Sequence, residues 1–206
     1  SMPLCGARPL FAAQCAPTVA PETLLSVVQV ESRFEPLAIG VNGVPRVTVT
    51  ATSLEEAISK AAALIGAGRS IDLGLAQINS KNLSWLGLSL REVFEPCTNL
   101  RAAARILGEG YARSEAVRVG EQAALRTALS YYNTGHPVRG LSNGYVGKVT
   151  SAAGRLVPAI GGASLGSLAA PAPAAPTALK SPTWDVFGDV HRGRDSFISL
   201  TASGGP

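Results

Sequence analysis

A single predicted helix near the N-terminus constrains the fold most, because the face that it should bury carries a carboxylate. Pro21 suits a first helical turn, where its missing N–H costs nothing. Leu24, Val27, Val28 and Glu31 then follow at the i, i+3, i+4 and i+7 spacing of one helix face. The pattern predicts a helix packed on a core, with Glu31 on the face that is buried.

Glu31 is the first candidate catalytic residue. Burial disfavours the charged form of a carboxylate, so we expect the pKa of Glu31 to rise towards the range useful to a general acid. The structural alternative is a glutamate held in an ion pair with an arginine such as Arg33 or Arg69, because ion pairs also perturb carboxylates.

The stretch after this helix predicts a small extended excursion. Residues 35–45 are rich in Pro, Gly and Asn and read as a loop. Residues 46–51 alternate β-branched side chains and predict a short strand. Ser53 and Ser89 are each followed three residues later by a glutamate, and both patterns are typical of capping boxes that open helices.

Three longer helices follow, each marked by apolar residues at helical spacing. The break between the second and third falls at residues 133–137, Asn-Thr-Gly-His-Pro. The fold class that we expect is mainly α, an α+β arrangement with one small β excursion. The three apolar stripes are Leu100, Ala103, Ala104, Leu107 and Tyr111; Leu125, Ala128, Leu129 and Tyr132; and Tyr145, Val149, Ala152 and Leu156.

Composition divides the chain into three parts. Residues 1–158 form the predicted catalytic domain, and 206 residues in all are ample for one core. Residues 159–182 are nearly all Gly, Ala, Ser, Pro and Leu, which is typical of a semi-extended linker. Residues 183–206 return Trp184 and two phenylalanines to the chain. We expect this tail to dock, either on its own domain or on a partner.

Charge and hydropathy exclude several classes of function. The net charge of +4 is scattered rather than clustered on one face, so nucleic acid is not an expected partner. The sequence contains no run of about 18 apolar residues, so no membrane-spanning helix is predicted. His136 and His191 stand far apart without metal-ligand spacing, and we expect both at the surface. With no phosphate-binding glycine loop either, neither a metal nor another cofactor is expected.

The three cysteines allow three single pairings, and sequence alone does not choose among them. Cys15 and Cys97 both lie in turn-like settings next to predicted helices. We therefore expect these two to form a disulfide and Cys5 to be left over.

Four short segments occur in order along the chain: Glu31-Ser32, Gly74-Leu75-Ala76-Gln77-Ile78-Asn79, Tyr131-Tyr132-Asn133-Thr134-Gly135 and Gly144-Tyr145-Val146. Together they resemble the Glu-Ser, Gly-Leu-x-Gln-Ile, aromatic-Tyr-Asn-x-Gly and late Tyr-Val marks of the lysozyme-like lytic transglycosylases. The resemblance covers roughly residues 15–156 and implies a lysozyme-like fold.

Within that family, residues 15–17, 31–42 and 79–83 resemble the specialised peptidoglycan-cleaving component of bacterial type IV secretion systems. The resemblance implies cleavage of the β-1,4 bond between MurNAc and GlcNAc with 1,6-anhydro-MurNAc ends, and secretion-system partners contacted through the tail. It also implies a periplasmic location, although the first 20 residues lack the apolar core of a signal peptide.

The resemblance assigns roles to the matched residues. Glu31 would serve first as acid and then as base, with Ser32 packed or hydrogen-bonded beside it. The amides of Gln77 and Asn79 alternate with apolar neighbours and would bind the N-acetyl and hydroxyl groups of the substrate. Their structural alternative is a pair of turn-capping amides.

Two tyrosines and an asparagine complete the expected site. The hydroxyl of Tyr132 would hold the Glu31 carboxylate or the sugar, and its alternative is a plain core aromatic. Asn133 would cap its helix and line the cleft. Tyr145 would stack on a sugar or hold the same glutamate.

Asp72 opens a second possibility. Residues 70–80 also resemble the Asp-x-Gly-x-x-Gln-Ile-Asn-Ser segment of animal-type lysozymes, in which the aspartate is the second catalytic carboxylate. Glu31 and Asp72 would then form a hydrolytic muramidase. Otherwise Asp72 is a turn residue that binds nearby backbone N–H groups. A third alternative is a largely non-catalytic peptidoglycan-binding assembly factor whose working part is the tail.

Overall fold

A computed structural model describes residues 7–114, 118 and 120–161. Within these residues, shorter helices come before, between and after the strands of a small sheet. Three longer helices follow, and one 3-10 turn lies at Ser80–Asn82. The elements are α1 Ala7–Cys15, α2 Pro21–Glu31, β1 Ile39–Val41, β2 Val47–Val49, α3 Leu54–Gly66, β3 Ile71–Leu73, β4 Ile78–Asn79, α4 Leu83–Leu86, α5 Leu90–Val93, α6 Pro96–Ala112, α7 Glu121–Thr134, α8 Arg139–Ser142 and α9 Tyr145–Gly161.

Helix α2 forms as its sequence pattern predicts. Pro21 occupies the first turn, and Leu24, Val27 and Val28 are fully buried. The helix packs mainly against α9 and α1, so it lies inside the helical body. Glu31 is its last residue and is only partly buried, which places the carboxylate where the core meets the surface.

The four strands pair antiparallel in the order β2-β1-β3-β4. Strand β2 confirms the strand predicted for residues 46–51, but the expectation of a loop throughout residues 35–45 is wrong, because β1 is a buried central strand within it. Gly40 lies in β1 and is one of the residues that made this stretch look like a loop. The packing around it leaves room for glycine only. A Cβ there would lie 2.5 Å from Arg46 Nη2 and 2.6 Å from Gln77 Oε1.

The two capping patterns have different outcomes. Ser89 and Glu92 form the complete reciprocal capping box at the start of α5. At α3, the Ser53 hydroxyl accepts from the Glu56 N–H at 3.2 Å, but the Glu56 carboxylate accepts from the backbone N–H of Thr52 at 2.7 Å. Both helices therefore start where the sequence predicts, and only α5 has the full box.

The three apolar stripes of the longer helices form much of the core, which confirms them. Helices α6 and α7 approach closely at Gly110, where a Cβ would lie 3.2 Å from the Ala128 backbone. Helix α7 ends at Thr134, and Gly135 follows it with φ 66°. Helix α9 ends at Gly161. The rest of the predicted linker, the tail and His191 lie outside the described residues.

The disulfide between Cys15 and Cys97 confirms the expected pairing, and Cys5 lies outside the described residues. The bond joins the last residue of α1 to the first turn of α6 across 82 positions of sequence. A native cross-link of this kind typically stabilises a fold by about 2–5 kcal/mol. Over the described residues, no helix is long and apolar enough to cross a membrane.

Candidate active site

A cleft of about 880 Å³ collects most of the predicted site residues. It runs from the end of α2 and the sheet on one side to α6 and α7 on the other. Ser32 and Tyr145 do not line it. The lining residues used below are Glu31, Arg46, Asp72, Gln77, Asn79, Lys81, Asn82, Trp85, Arg105, Glu109, Arg113, Tyr132 and Asn133.

The Glu31 carboxylate is held by a tyrosine rather than by an arginine. The Tyr145 hydroxyl, at the start of α9, donates to Glu31 Oε1 at 2.7 Å. None of the ion pairs formed by the described residues includes Glu31. Arg69 instead donates to the backbone carbonyl of Asn42. The alternative in which Glu31 pairs with Arg33 or Arg69 is therefore not what the structure forms.

Burial gives Glu31 the protonation behaviour of a general acid. Removal from water raises the pKa of Glu31 from 4.5 to about 7. The Tyr145 hydrogen bond and the positive charge of Arg46 act to lower the pKa, and the Asp72 charge acts to raise it. The desolvation effect is the largest, so a substantial fraction of Glu31 carries a proton at neutral pH.

Asp72 has a different environment in the same cleft. Arg46 Nη2 donates to Asp72 Oδ2 at 3.0 Å, and Asn79 Nδ2 donates to Oδ1 at 2.7 Å. Both carboxylate oxygens are engaged by side chains within the protein. The residue lies in β3 opposite Asn79, so the expectation of a turn residue that binds backbone N–H groups is wrong.

Gln77 uses its side chain to fix the backbone around it. The residue has φ 52° in the tight connection between β3 and β4. Its Nε2 donates to the carbonyls of Ala38 at 3.1 Å and Gly74 at 2.9 Å, and its Oε1 accepts from Arg46 at 3.2 Å. These are the contacts of the structural alternative, and substrate binding by Gln77 stays a prediction.

Asn79 is similarly engaged. Its Oδ1 accepts from the Lys81 N–H at 3.0 Å, which caps the 3-10 turn, and its Nδ2 donates to Asp72 and to the Ser70 hydroxyl. The side chain therefore joins the sheet to the following turn while it faces the cleft. Substrate binding by Asn79 also stays a prediction.

The two candidate tyrosines divide the roles that the sequence left open. Tyr132 donates to the Ala76 carbonyl at 2.7 Å, so it supports the β3–β4 connection and not the Glu31 carboxylate. Tyr145 holds Glu31. Burial raises the pKa of both hydroxyls well above their ordinary value, so each remains protonated and donates.

Asn133 lines the cleft, as expected, whereas Ser32 does not. Asn133 Oδ1 accepts from Asn143 Nδ2 at 2.9 Å, which connects α7 to the segment before α9. The expectation that Asn133 caps its helix is wrong, because Gly135 takes the left-handed position that ends α7. Ser32 follows Glu31 and turns its hydroxyl back to the Val28 carbonyl at 3.4 Å.

Two residues that support the site escaped the sequence analysis. Asn99 is fully buried; its Oδ1 accepts from the Ala76 N–H, and its Nδ2 donates to the carbonyls of Leu73 and Val93. The available signal was that Asn99 directly precedes Leu100, the first residue of a predicted apolar stripe. Arg46, which bridges Asp72 and Gln77, was seen only as the first residue of a predicted strand.

His136 takes no part in the cleft. It is partly buried rather than at the open surface, and its Nδ1 accepts from the Val138 N–H at 3.3 Å. Across residues 7–114, 118 and 120–161, no three His, Cys, Asp or Glu side chains are grouped so that they could hold a metal.

The described residues form a helical body with a small antiparallel sheet and a partly buried glutamate that lines a cleft. The family that matches the chain is described as the transglycosylase SLT domain, over residues 8–149. The chain belongs to this family. Both the resemblance and the fold class read from the sequence are confirmed.

Curated relatives narrow the likeness further. Protein virB1 of Agrobacterium fabrum (strain C58) is 41% identical over 197 residues, which covers 92% of this chain and 77% of the relative. Protein virB1 of Rhizobium radiobacter is 43% identical over 182 residues, 88% of this chain and 72% of the relative. The type IV secretion system protein virB1 of Brucella abortus is 43% identical over 150 residues, which covers 70% of this chain and 63% of the relative. No solved structure matches.

Proposed function

We propose that the chain is a lytic transglycosylase that opens peptidoglycan locally for a type IV secretion apparatus, with Glu31 as its single acid and base. The family and the virB1 relatives support the activity and the secretion context. The observation that supports Glu31 is its position at the cleft with a pKa raised to about 7 and no ion-pair partner among the described residues.

The first step uses the protonated form of Glu31. The carboxylic acid donates its proton to the oxygen of the β-1,4 bond between MurNAc and GlcNAc, and the bond between that oxygen and the MurNAc anomeric carbon breaks. The GlcNAc part leaves as an alcohol. Tyr145 keeps its hydrogen bond to Oε1 and so orients the carboxyl group throughout.

The second step returns the proton. The C6 hydroxyl of the same MurNAc attacks its anomeric carbon, and the Glu31 carboxylate accepts the hydroxyl proton. The product is a 1,6-anhydro-MurNAc end, and Glu31 regains its starting state. No second protein carboxylate is required. The hydrogen bonds from Arg46 and Asn79 to Asp72 fit this scheme, because they give the Asp72 side chain a structural role in the cleft.

Location and partners follow from the substrate and the relatives. We infer a periplasmic location, since the substrate is cell-wall peptidoglycan. We also infer that residues 183–206 contact components of the secretion apparatus, on the sequence argument that a tail rich in large apolar residues docks. Binding of the purified tail to those components would test this inference, and its absence would remove it.

One observation favours the hydrolytic alternative. Asp72 lines the same cleft as Glu31, and its charge contributes to the raised pKa of Glu31. With Asp72 as the nucleophile that displaces the GlcNAc oxygen from the anomeric carbon, and Glu31 then activating the water that hydrolyses the glycosyl-enzyme bond, the protein would be a lysozyme-type muramidase with reducing ends. We favour the transglycosylase because both carboxylate oxygens of Asp72 already accept hydrogen bonds, one from Arg46 and one from Asn79.

Replacement of the proton donor tests the proposal. We expect Glu31→Gln to lower the release of soluble muropeptides from purified peptidoglycan by about 10²–10⁴-fold, because the amide keeps the shape and loses the proton. Glu35→Gln is the matched control, since Glu35 is exposed and lies outside the cleft. Circular dichroism checks that both variants fold. Wild-type release by Glu31→Gln would refute the role of Glu31.

A further inference from the structure

The cleft continues well beyond Glu31, along a wall that the reaction itself does not use. Lys81, Arg105 and Arg113 line this part and are exposed. We call these three residues the basic wall. Arg105 lies in α6 and Arg113 is the residue at its C-cap, eight positions later, which is roughly 12 Å along the helix axis. The wall is therefore long enough to meet more than one group of an extended ligand.

No ion pair within residues 7–114, 118 and 120–161 involves a cation of the basic wall. The ion pairs formed by the described residues involve Arg46, Lys60 and Arg91. Glu109 lies between the two arginines at i+4 spacing and also lines the cleft. Three cations and one carboxylate leave this wall with a net charge of +2.

One member of the basic wall is held in place before any ligand arrives. The Arg105 guanidinium lies 4.9 Å from the centre of the Trp85 ring, and the Trp85 indole N–H donates to Asn82 Oδ1 at 3.1 Å. Trp85 nevertheless keeps 42% of its surface exposed. A guanidinium stacked on an anchored ring loses less freedom on binding a carboxylate than a free side chain would.

We propose that the basic wall binds the carboxylates of the peptide stems on MurNAc, so that the enzyme prefers peptide-bearing glycan strands to naked ones. The inference rests on the proposed function for the identity of the substrate. Sugar hydroxyls and N-acetyl groups are neutral and give unpaired arginines little to bind. The stems carry carboxylates, which guanidinium groups bind in a bidentate geometry.

A charge-matched pair of variants tests the proposal in the full chain. The wall variant carries Lys81→Gln, Arg105→Gln and Arg113→Gln. The control carries Arg126→Gln, Lys148→Gln and Arg155→Gln, which remove three exposed cations outside the cleft. The substrates are intact peptidoglycan and the same material stripped of its stems by an amidase, which leaves one lactyl carboxylate on each MurNAc, next to the sugar ring, in place of the stem.

We expect wild-type kcat/KM to be higher on intact than on stripped strands, and the wall variant to lose about tenfold on intact strands only. The control should change by less than about twofold on either substrate. Added salt should weaken the wild-type preference, since exposed ion pairs are screened. An equal loss on both substrates, no loss at all, or a wild-type preference for stripped strands would overturn the proposal.

A binding measurement separates this proposal from the catalytic one. In the Glu31→Gln background, pelleting with insoluble peptidoglycan reports the basic wall without turnover. We expect the wall substitutions to weaken pelleting with intact material about tenfold. Stripped strands are soluble, because the stems carry the cross-links, and we expect their affinity, measured by calorimetric titration, to be unchanged by the wall substitutions. Equal pelleting by the wall and control variants would contradict the wall, whether or not the wild type is an active transglycosylase.

Discussion

Two carboxylates share one cleft, and their surroundings give them opposite chemistry. Glu31 ends a buried helix, accepts one hydrogen bond from Tyr145 and forms no ion pair within the described part of the chain. Asp72 lies in a sheet strand and receives donors on both oxygens. The first group is suited to hold and release a proton. The second is held in place by its two hydrogen-bond partners.

The comparison also separates two ways of building a site. Glu31 is placed by helix packing, through apolar residues whose spacing is visible in the sequence. Asp72 is placed by a polar network that runs through Arg46, Gln77 and Asn79. Asn99 supports this network by accepting a hydrogen bond from the backbone of Ala76. A network of this kind depends on contacts between distant segments, so periodicity does not reveal it.

The largest effect that would sharpen the comparison is on stability. The folded-state pKa of Glu31, about 7, lies above its ordinary value of 4.5. The wild type therefore loses stability as pH rises between these values, by about 3 kcal/mol in total. Glu31→Gln does not titrate, so we expect its free energy of unfolding to gain on the wild type from pH 4.5 to pH 7 and to keep that gain above pH 7.

Glu56 supplies a control of opposite sign. Hydrogen bonds from Lys60 and Thr52 lower the pKa of Glu56 to about 2. Its contribution is present above pH 4.5 and is lost as pH falls towards 2, so Glu56→Gln should cost stability at neutral pH and cost less in acid. Denaturant unfolding at several pH values measures both variants. A constant gap between Glu31→Gln and the wild type would contradict the burial of an acid at Glu31.

A smaller effect is expected at Tyr145. Its hydrogen bond favours the charged form of Glu31, so Tyr145→Phe should raise the pKa of Glu31 and move the alkaline fall in activity to higher pH. The loss of orientation should lower the rate about fivefold, which corresponds to the loss of one hydrogen bond of about 1 kcal/mol.

Tyr132→Phe is the comparison for that variant. Tyr132 donates to the Ala76 carbonyl and not to Glu31. Its loss should lower stability without moving the pH profile. A shift of the profile in Tyr132→Phe, or none in Tyr145→Phe, would reverse the roles given to the two tyrosines.

Local patterns predicted the longer helices α2, α3, α6, α7 and α9, but they did not predict α1, α4 or α8. The helices at residues 21–31 and at the three later stripes were predictable, because apolar residues recur every three or four positions along them. The short sequence Ile39–Val41 did not announce a strand. Three residues are too few for alternation, and the adjacent Pro, Gly and Asn are typical of loops.

The site was predicted in its membership more than in its contacts. The motif residues Glu31, Asp72, Gln77 and Asn79 do meet at one cleft. Which of them hold one another depends on distances across the fold, so the Tyr145 bond was left open beside a sugar contact. Asn99 lies in the part of the network that no motif marked.

The smallest effect, and the most direct test of the account, concerns Asp72. Products released from peptidoglycan in water labelled with heavy oxygen are analysed by mass spectrometry, with the wild type and with Asp72→Asn. We expect 1,6-anhydro ends without label from both. We also expect a rate for Asp72→Asn within about threefold of the wild type, since the ion pair that is lost is open to solvent on its Arg46 side. Labelled reducing ends from the wild type, lost in Asp72→Asn, would contradict a single acid and base at Glu31.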